Sequence, residues 1–346
     1  MILPRDPFES ELAAIWELVT GVQPVGVTDA FFDLGGDSLA AEWMLLEIEK
    51  KFRRQLPQRV LYEARTIAEM AALLREEGWA TRPSALVALQ PNGSRPPLFC
   101  FPPLNAISAF RSLAGHLGPN QPLYALQATP EGDHNPFDSI EAEAAYYISE
   151  ITAQQPAGPY YLTGWSYGGI VAFETAQQLS RQQRCIAFLG ILDIGFKLMD
   201  LSSRLGQLRR RLEYVAQLGP SGQWQRVRHR LASARGATAP PDPRVRPATF
   251  PLPAPDNDSR ADHERARRYK PIRYDGRVTL FRTRRTDYAA RFHDPMWGWG
   301  RLAQRGVEVH DVPGEHHNMM LEPQVSGLAD IFIPCLRAAQ QRSTEP

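Results

Sequence analysis

The run Tyr161-Leu162-Thr163-Gly164-Trp165-Ser166-Tyr167-Gly168-Gly169-Ile170 decides the reading of most of this chain. It sets Gly-x-Ser-x-Gly between a short apolar strand and an amphipathic segment, Val171 to Leu179. A serine nucleophile at the top of a sheet needs this order of strand, very tight turn and helix. The turn strains the serine backbone and leaves its hydroxyl exposed. Gly164 and Gly168 stand where any Cβ would collide with the neighbouring strand or helix. The five-residue pattern alone is weak evidence, and a purely structural turn is the alternative. Its framing by strand and helix favours an active nucleophile.

Working outward, strands alternate with helices. Leu86 to Leu89 and Leu98 to Phe101 read as strands, with the turn Pro91-Asn92-Gly93-Ser94 between them. Pro122 to Leu126, Tyr160 to Thr163, Ala187 to Asp193, Val278 to Phe281 and Val307 to Val312 are further strands. Ile140 to Thr152 and Gln324 to Ala339 read as helices. This alternation predicts a mostly parallel sheet with helices on both faces. A long insert, about 195–263, interrupts it. Leu205, Leu208, Leu212 and Val215 recur at helical spacing, as do Trp224, Val227 and Leu231, and 236–258 reads as irregular. The insert leaves the loop side of the sheet, where the serine sits, and is expected to form a helical lid. Arg209 to Arg211, Arg226, Arg228 and Arg230 read as its solvated face, with contact to an anionic ligand as the alternative.

The first 77 residues read differently, as four helical pieces. Leu12, Ile15, Trp16 and Val19 predict a helix from about Glu9 to Val19. After the loop 21–30, a second helix covers Leu39 to Phe52. A short piece around Val60 to Tyr62 follows. The last helix is Ile67 to Arg75, with Thr66 and Glu69 as a capping box. Residues 78–84 read as a linker to a second domain, 85–346.

Composition narrows the function classes. The 346 residues suggest two domains, and 43% hydrophobic residues suffice for proper cores. A net charge of +1 gives no sign of a nucleic-acid partner. No apolar run approaches the roughly 20 residues of a membrane span, and the first residues lack signal-peptide character, so a cytoplasmic location is expected. Cys100, Cys185 and Cys335 form no spaced cluster. They read as buried thiols of a reducing compartment, with no metal site expected.

A serine nucleophile needs a histidine to take its proton and a carboxylate to orient that histidine. His316 and His317 follow the last strand, in Val312-Pro313-Gly314-Glu315-His316-His317-Asn318. His310 lies within that strand, while His116, His134 and His229 lack any strand-end context. For the acid, Asp193 ends one strand, and Asp287 and Asp294 follow the next. Residue patterns favour Asp193 without excluding the later pair.

Two resemblances sharpen these readings. Phe31-Phe32-Asp33-Leu34-Gly35-Gly36-Asp37-Ser38-Leu39 closely resembles the core motif of peptidyl and acyl carrier domains. It implies a 4′-phosphopantetheine arm on Ser38; the competing reading is a merely capped helix. Gly164 to Gly169, Leu192-Asp193 and Gly314-Glu315-His316 resemble, in order, the motifs of type I thioesterase domains of nonribosomal peptide and polyketide synthases. That family has the α/β-hydrolase fold. The resemblance implies Ser166 as nucleophile, Asp193 as acid and His316, rather than His317, as base. Phe101-Pro102-Pro103-Leu104 resembles the first oxyanion loop, which implies backbone N–H donors at Leu104 and Tyr167. Asn105-Ala106 and His317-Asn318 depart from the family pattern and are expected to reshape the pocket.

The expectation is therefore a small all-α four-helix carrier domain followed by an α/β-hydrolase domain with a helical lid. Such a chain would accept an acyl or peptidyl chain on Ser38, pass it to Ser166 and release it by hydrolysis or cyclisation. Its partners would be a phosphopantetheinyl transferase and upstream adenylation, condensation or ketosynthase domains. The rival readings are a stand-alone esterase or lipase with a helical appendage and a non-catalytic acyl-carrying scaffold.

Overall fold

The computed structural model describes residues 1–36, 38–54, 56, 60–75, 84–103, 106–128, 135–196, 257–283 and 294–343. The Gly-x-Ser-x-Gly run lies at its centre, between β4 (Tyr160–Trp165) and α7 (Tyr167–Arg181). Around it stand β1 (Leu86–Gln90), β2 (Leu98–Phe101), β3 (Leu123–Leu126), β5 (Ile186–Leu192), β6 (Val278–Thr283) and β7 (Val307–Val312). These seven strands form one sheet in the order β1-β3-β2-β4-β5-β6-β7. Only β1 pairs antiparallel, with β3. All other pairs are parallel.

Parallel strands connected by helices are buried on both faces. The alternation along each strand divides their side chains between two cores. Phe99, Phe101, Tyr160, Leu162, Leu189 and Ile191 point to one, which α6 (Ile140–Gln154) and α7 cover. Leu98, Cys100, Tyr161, Phe188 and Leu192 point to the other. There α5 (Ser108–Leu117) and α9 (Gln324–Arg342) pack. This is the mostly parallel, helix-covered sheet that the alternation predicts, and the α/β-hydrolase architecture that the thioesterase resemblance implies.

Among the described residues of the N-terminal segment there are four helices: α1 (Pro7–Thr20), α2 (Ser38–Phe52), α3 (Val60–Glu63) and α4 (Ile67–Arg75). Each boundary has a local cause. The Asp6 carboxylate accepts the Glu9 N–H at the start of α1, and Gly21 ends it in the left-handed conformation. Thr66 and Glu69 exchange bonds of 3.0 and 3.2 Å, the reciprocal cap expected of their spacing. Trp16, Phe31, Met44, Ile48, Val60, Ile67 and Met70 fill the core between these helices. Gly36 lies so close to Phe31 that a Cβ would meet the ring at 2.4 Å, which fixes the turn leading into α2.

The helical unit touches the sheet domain through β1 and α5. The Arg65 guanidinium donates to the carbonyls of Ala88 and Leu89, at 3.2 and 2.9 Å. Phe32 stacks on Tyr62, and Arg111 of α5 lies 3.7 Å from the Phe32 ring centre. Edge-strand carbonyls otherwise invite foreign strands, so Arg65 both docks the unit and occupies the edge.

Two sequence readings need correction. Cys185 is exposed and Cys335 half-buried; only Cys100 is a buried thiol. Cys185 stands at the turn into β5, where its carbonyl accepts the Tyr160 N–H while the side chain meets solvent. A further helix, α8 (Asn257–Arg268), begins where an irregular stretch was expected to end. Most of the expected lid, residues 197–256, and most of the expected linker lie outside the described residues.

Where α7 crosses β2, a Cβ on Gly168 would lie 1.9 Å from the Phe101 carbonyl oxygen. Gly168→Ala is expected to cost about 1–3 kcal/mol or more, because neither backbone can move freely. Denaturant unfolding against wild type measures this, and an unchanged midpoint would show that the crossing is looser than described.

Candidate active site

Ser166 follows β4 and precedes the first turn of α7 with φ 53° and ψ −128°. A side-chain-bearing residue rarely adopts this conformation, and it persists only where neighbours enforce it. The Ser166 N–H bonds the Leu192 carbonyl at 3.0 Å and its own carbonyl accepts the Gly169 N–H at 2.9 Å. Both backbone groups are satisfied, so the hydroxyl projects from the sheet.

Asp193 directly follows β5, fully buried, also at positive φ. Its N–H bonds the Phe281 carbonyl of β6 at 2.8 Å. One carboxylate oxygen, Oδ1, accepts from the Thr283 N–H at 2.6 Å and from the Thr283 hydroxyl at 2.9 Å. The other, Oδ2, lies 2.9 Å from His316 Nδ1. His316 Nε2 lies 3.0 Å from Ser166 Oγ. The chain Asp193–His316–Ser166 thus spans three strand ends. A buried carboxylate that accepts three bonds is held rigidly, and it selects the imidazole tautomer whose Nε2 faces the serine.

His316 is placed by the loop after β7. Gly314 turns at φ 88°, and the Asn318 side chain accepts the Glu315 N–H at 2.7 Å. Asn318, a departure from the family pattern, is therefore a brace for the loop. The Trp165 ring lies 5.9 Å from the imidazole. His317 points elsewhere, with Nε2 3.7 Å from Glu315.

The other candidates stand apart. Asp294 caps its own turn, accepting from the Met296 and Gly298 N–H groups at 3.0 and 2.8 Å. His310 stacks on Phe281, and the exposed His116 bonds Glu322. Asp287, His134, His229 and the arginines of the insert fall outside the described residues, as does Leu104, one of the two expected oxyanion donors. Tyr167, the other, opens α7 beside Ser166. Ser38 opens α2, a helix with no acidic residue in its first turn.

A polar network behind the serine has no precedent in the sequence reading. The Tyr167 hydroxyl donates to Glu143 of α6 at 2.8 Å, and Arg265 of α8 approaches the same hydroxyl at 3.3 Å. Arg265 also bonds Asp262 and, at 3.2 Å, the Phe137 carbonyl. Asn135 donates to Glu143 at 3.0 Å. Burial pushes the Glu143 carboxyl up, opposed by the Asn135 and Tyr167 bonds. Burial and the neighbouring Glu143 and Asp262 charges push the Tyr167 phenol far above its ordinary range. The phenol therefore stays a donor. Further along α7, the Tyr269 hydroxyl donates to Glu174 at 2.6 Å and accepts from Gln177 at 2.7 Å. The helix that returns from the insert is thus tied to the elbow helix by buried polar groups.

Fold and site together define an α/β-hydrolase domain with a hydrogen-bonded Ser–His–Asp arrangement behind a small helical unit. The thioesterase domain family matches residues 96–334, more than half of the chain, and the phosphopantetheine attachment site family matches residues 10–74. The chain belongs to the thioesterase domain family and carries a phosphopantetheine attachment unit ahead of that domain. Malpinin synthetase of Mortierella alpina is 41% identical over 194 residues, which are 55% of this chain and 2% of the synthetase. Indigoidine synthase of Dickeya dadantii (strain 3937) is 35% identical over 222 residues, 62% of this chain and 14% of that one. Chondramide synthase of Chondromyces crocatus is 29% identical over 359 residues, 95% of this chain and 9% of that one. The chain therefore spans a small fraction of the length of these curated relatives. A four-domain nonribosomal peptide synthetase, solved with AMP and glycine, matches 96% of this chain and 26% of its own, with TM-score 0.51 and 25% identity. The NocB thioesterase domain, solved as a covalent fluorophosphonate complex, shares the fold over 72% of this chain and 99% of its own, with TM-score 0.50 and 24% identity. Among the described residues no helix is long and apolar enough to cross a membrane.

Three substitutions probe the geometry. His316→Ala is expected to lower turnover of a small model thioester by roughly a thousandfold, whereas His317→Ala costs far less. Thr283→Val removes one of the bonds that hold Asp193. A hydrogen bond to a charged group contributes about 1.5–3 kcal/mol, so a loss of at least about tenfold is expected. Steady-state kinetics that ranked His317 above His316, or left Thr283→Val at wild-type turnover, would contradict the arrangement.

Proposed function

We propose that this chain is the carrier–thioesterase end of a nonribosomal peptide or polyketide synthase. Residues 1–77 form the carrier domain, 78–84 the linker and 85–346 the thioesterase domain, with a lid over about 195–263. The observation that carries the reading is the Ser166–His316–Asp193 chain, with contacts of 3.0 and 2.9 Å, in the same polypeptide as a phosphopantetheine attachment unit.

Ser38 is the proposed attachment residue. It opens a 15-residue helix without acidic residues in its first turn, and helix N-termini favour a phosphodiester through free N–H groups and the dipole. When bound, the 4′-phosphopantetheine arm supplies a long tether and a thiol that holds the acyl or peptidyl chain as a thioester. Tethering makes delivery to the hydrolase domain effectively intramolecular.

Ser166 Oγ attacks the acyl carbonyl carbon while His316 Nε2 takes the hydroxyl proton. Asp193 stabilises the imidazolium without itself taking the proton. Negative charge collects on the former carbonyl oxygen. The backbone N–H groups of Tyr167 and Leu104 are the proposed donors to it, each worth about 3 kcal/mol at the transition state. As the carbonyl reforms, the carbon–sulfur bond breaks and His316 gives its proton to the leaving group. The acyl group now sits on Ser166. His316 then deprotonates water or a nucleophile within the acyl chain as it attacks the ester carbonyl; the bond to Ser166 Oγ breaks, His316 returns the proton to that oxygen, and the chain leaves by hydrolysis or cyclisation. The proposed partners are a phosphopantetheinyl transferase and upstream synthase domains that load the chain.

The test uses the full chain, an acyl-coenzyme A and a broad-specificity phosphopantetheinyl transferase. Wild type should gain one loaded arm and Ser38→Ala none. Ser166→Ala should hold its acyl group far longer than wild type by intact mass spectrometry. Equal lifetimes in the two proteins would remove Ser166 from the release step, and labelling that persists in Ser38→Ala would move the attachment site.

A further inference from the structure

Outside the active site, three side chains of different donor chemistry converge on the far edge of the sheet. Glu308 and His310 lie two residues apart on β7, so both point to one face of the edge strand. Cys335 projects towards them from α9. His310 Nε2 lies 2.9 Å from Glu308 Oε1 and 3.3 Å from Cys335 Sγ, and the three donor atoms lie within 4.8 Å of one another. Neither sequence spacing nor cysteine counting brings these residues together; the packing of α9 on β7 does.

Hydrogen bonding alone serves this trio badly. One imidazole nitrogen carries at most one hydrogen. If Nε2 bears it, the bond to Glu308 is made and the nitrogen has no lone pair for the thiol. If Nε2 is bare, it accepts from the thiol and faces the carboxylate lone pairs without a proton between. A divalent cation resolves the conflict, because all three atoms then direct lone pairs at the same point. Tetrahedral zinc, with bonds of about 2.0–2.3 Å, separates its donor atoms by about 3.3–3.6 Å. The two contacts to His310 lie within a few tenths of an ångström of that spacing.

The surroundings restrain the donor groups. Phe281 stacks on the His310 ring, with 5.5 Å between centres and 21° between planes, which restrains the ligand's orientation. Arg277 approaches the other Glu308 oxygen at 3.9 Å and leaves Oε1 to the cluster. Glu308 is exposed and the other two are half-buried, so a solvent molecule has access to a fourth position. Nitrogen, sulfur and oxygen donors in one set select a borderline-soft metal rather than magnesium or calcium.

We propose that Glu308, His310 and Cys335 form a zinc-class divalent metal site that ties the edge strand β7 to the closing helix α9. The site is separate from the proposed catalytic chain. It would brace the strand from which the His316 loop emerges.

Cobalt(II) is the probe, added at one equivalent to the full chain under reducing conditions. A thiolate-to-cobalt charge-transfer absorption is expected, with tetrahedral visible bands, and one equivalent of zinc should abolish both. Cys335→Ser should lose the charge-transfer band. His310→Ala and Glu308→Gln should weaken binding by roughly tenfold or more. Zinc should raise the melting temperature of wild type and not of Cys335→Ser, because binding to the folded state alone stabilises it. Glu308→Gln alters an exposed residue and keeps the test open should a variant at Cys335 fail to fold. Absence of the band in wild type would overturn the proposal, as would its persistence in Cys335→Ser through the exposed Cys185. Neither readout depends on Ser38 or Ser166.

Discussion

The first turn of α7 approaches the end of β2 so closely that only glycine fits at position 168, 1.9 Å from the Phe101 carbonyl for any added Cβ. Everything at the site follows from that crossing. It forces the chain to leave β4 and enter α7 within a single residue, and that residue is Ser166 at φ 53°. The strain is held by the sheet on one side, through the Leu192 carbonyl, and by α7 on the other. Asp193 is fixed by the same logic one strand over, at positive φ and bound to β6 through both its backbone and its carboxylate. Three strand ends thus present serine, acid and histidine at one edge, and the loops only complete what the sheet has placed.

A second level of order is polar. Arg265 of α8, held by its Asp262 pair, and Tyr269 just past that helix reach α7 through polar bonds, not through an apolar stripe. Buried polar groups are costly unless satisfied, and a satisfied network specifies one arrangement more sharply than apolar contact does. Tyr167 joins two features: its hydroxyl anchors the network and its backbone stands beside Ser166. The helical unit is likewise held by specific contacts, the Arg65 bonds to β1 and the Arg111–Phe32–Tyr62 stack. One of those contacts, at Phe32, lies six residues before the start of α2, so the loop into that helix packs against the sheet domain.

Much of this was legible in the sequence because it rests on local rules. The glycines of the elbow, the strand that ends at Asp193 and the Thr66–Glu69 cap each encode their geometry within a few residues. The parallel sheet follows from the alternation of its elements. Other features were not legible because their causes are non-local or polar. Helix α8, Asn-Asp-Ser-Arg-Ala-Asp-His-Glu-Arg-Ala-Arg-Arg, has no hydrophobic period to read, since what it buries is an ion pair. Thr283 looks like any strand threonine until Asp193 is seen against it. Cys335, read as a buried thiol, meets His310 and Glu308 only through the packing of α9 on β7.

The central claim is that one chain holds an acyl group at two serines in succession. Rapid-quench peptide mapping of the loaded protein measures it directly, by following the acyl mass on the Ser38 peptide and on the Ser166 peptide through one turnover. Succession predicts that the first signal decays as the second rises, and that in His316→Ala the first persists while the second stays low. Decay of the Ser38 signal to free product with no acyl mass ever found on the Ser166 peptide, in a chain whose release step is slowed by a poor nucleophile, would contradict it.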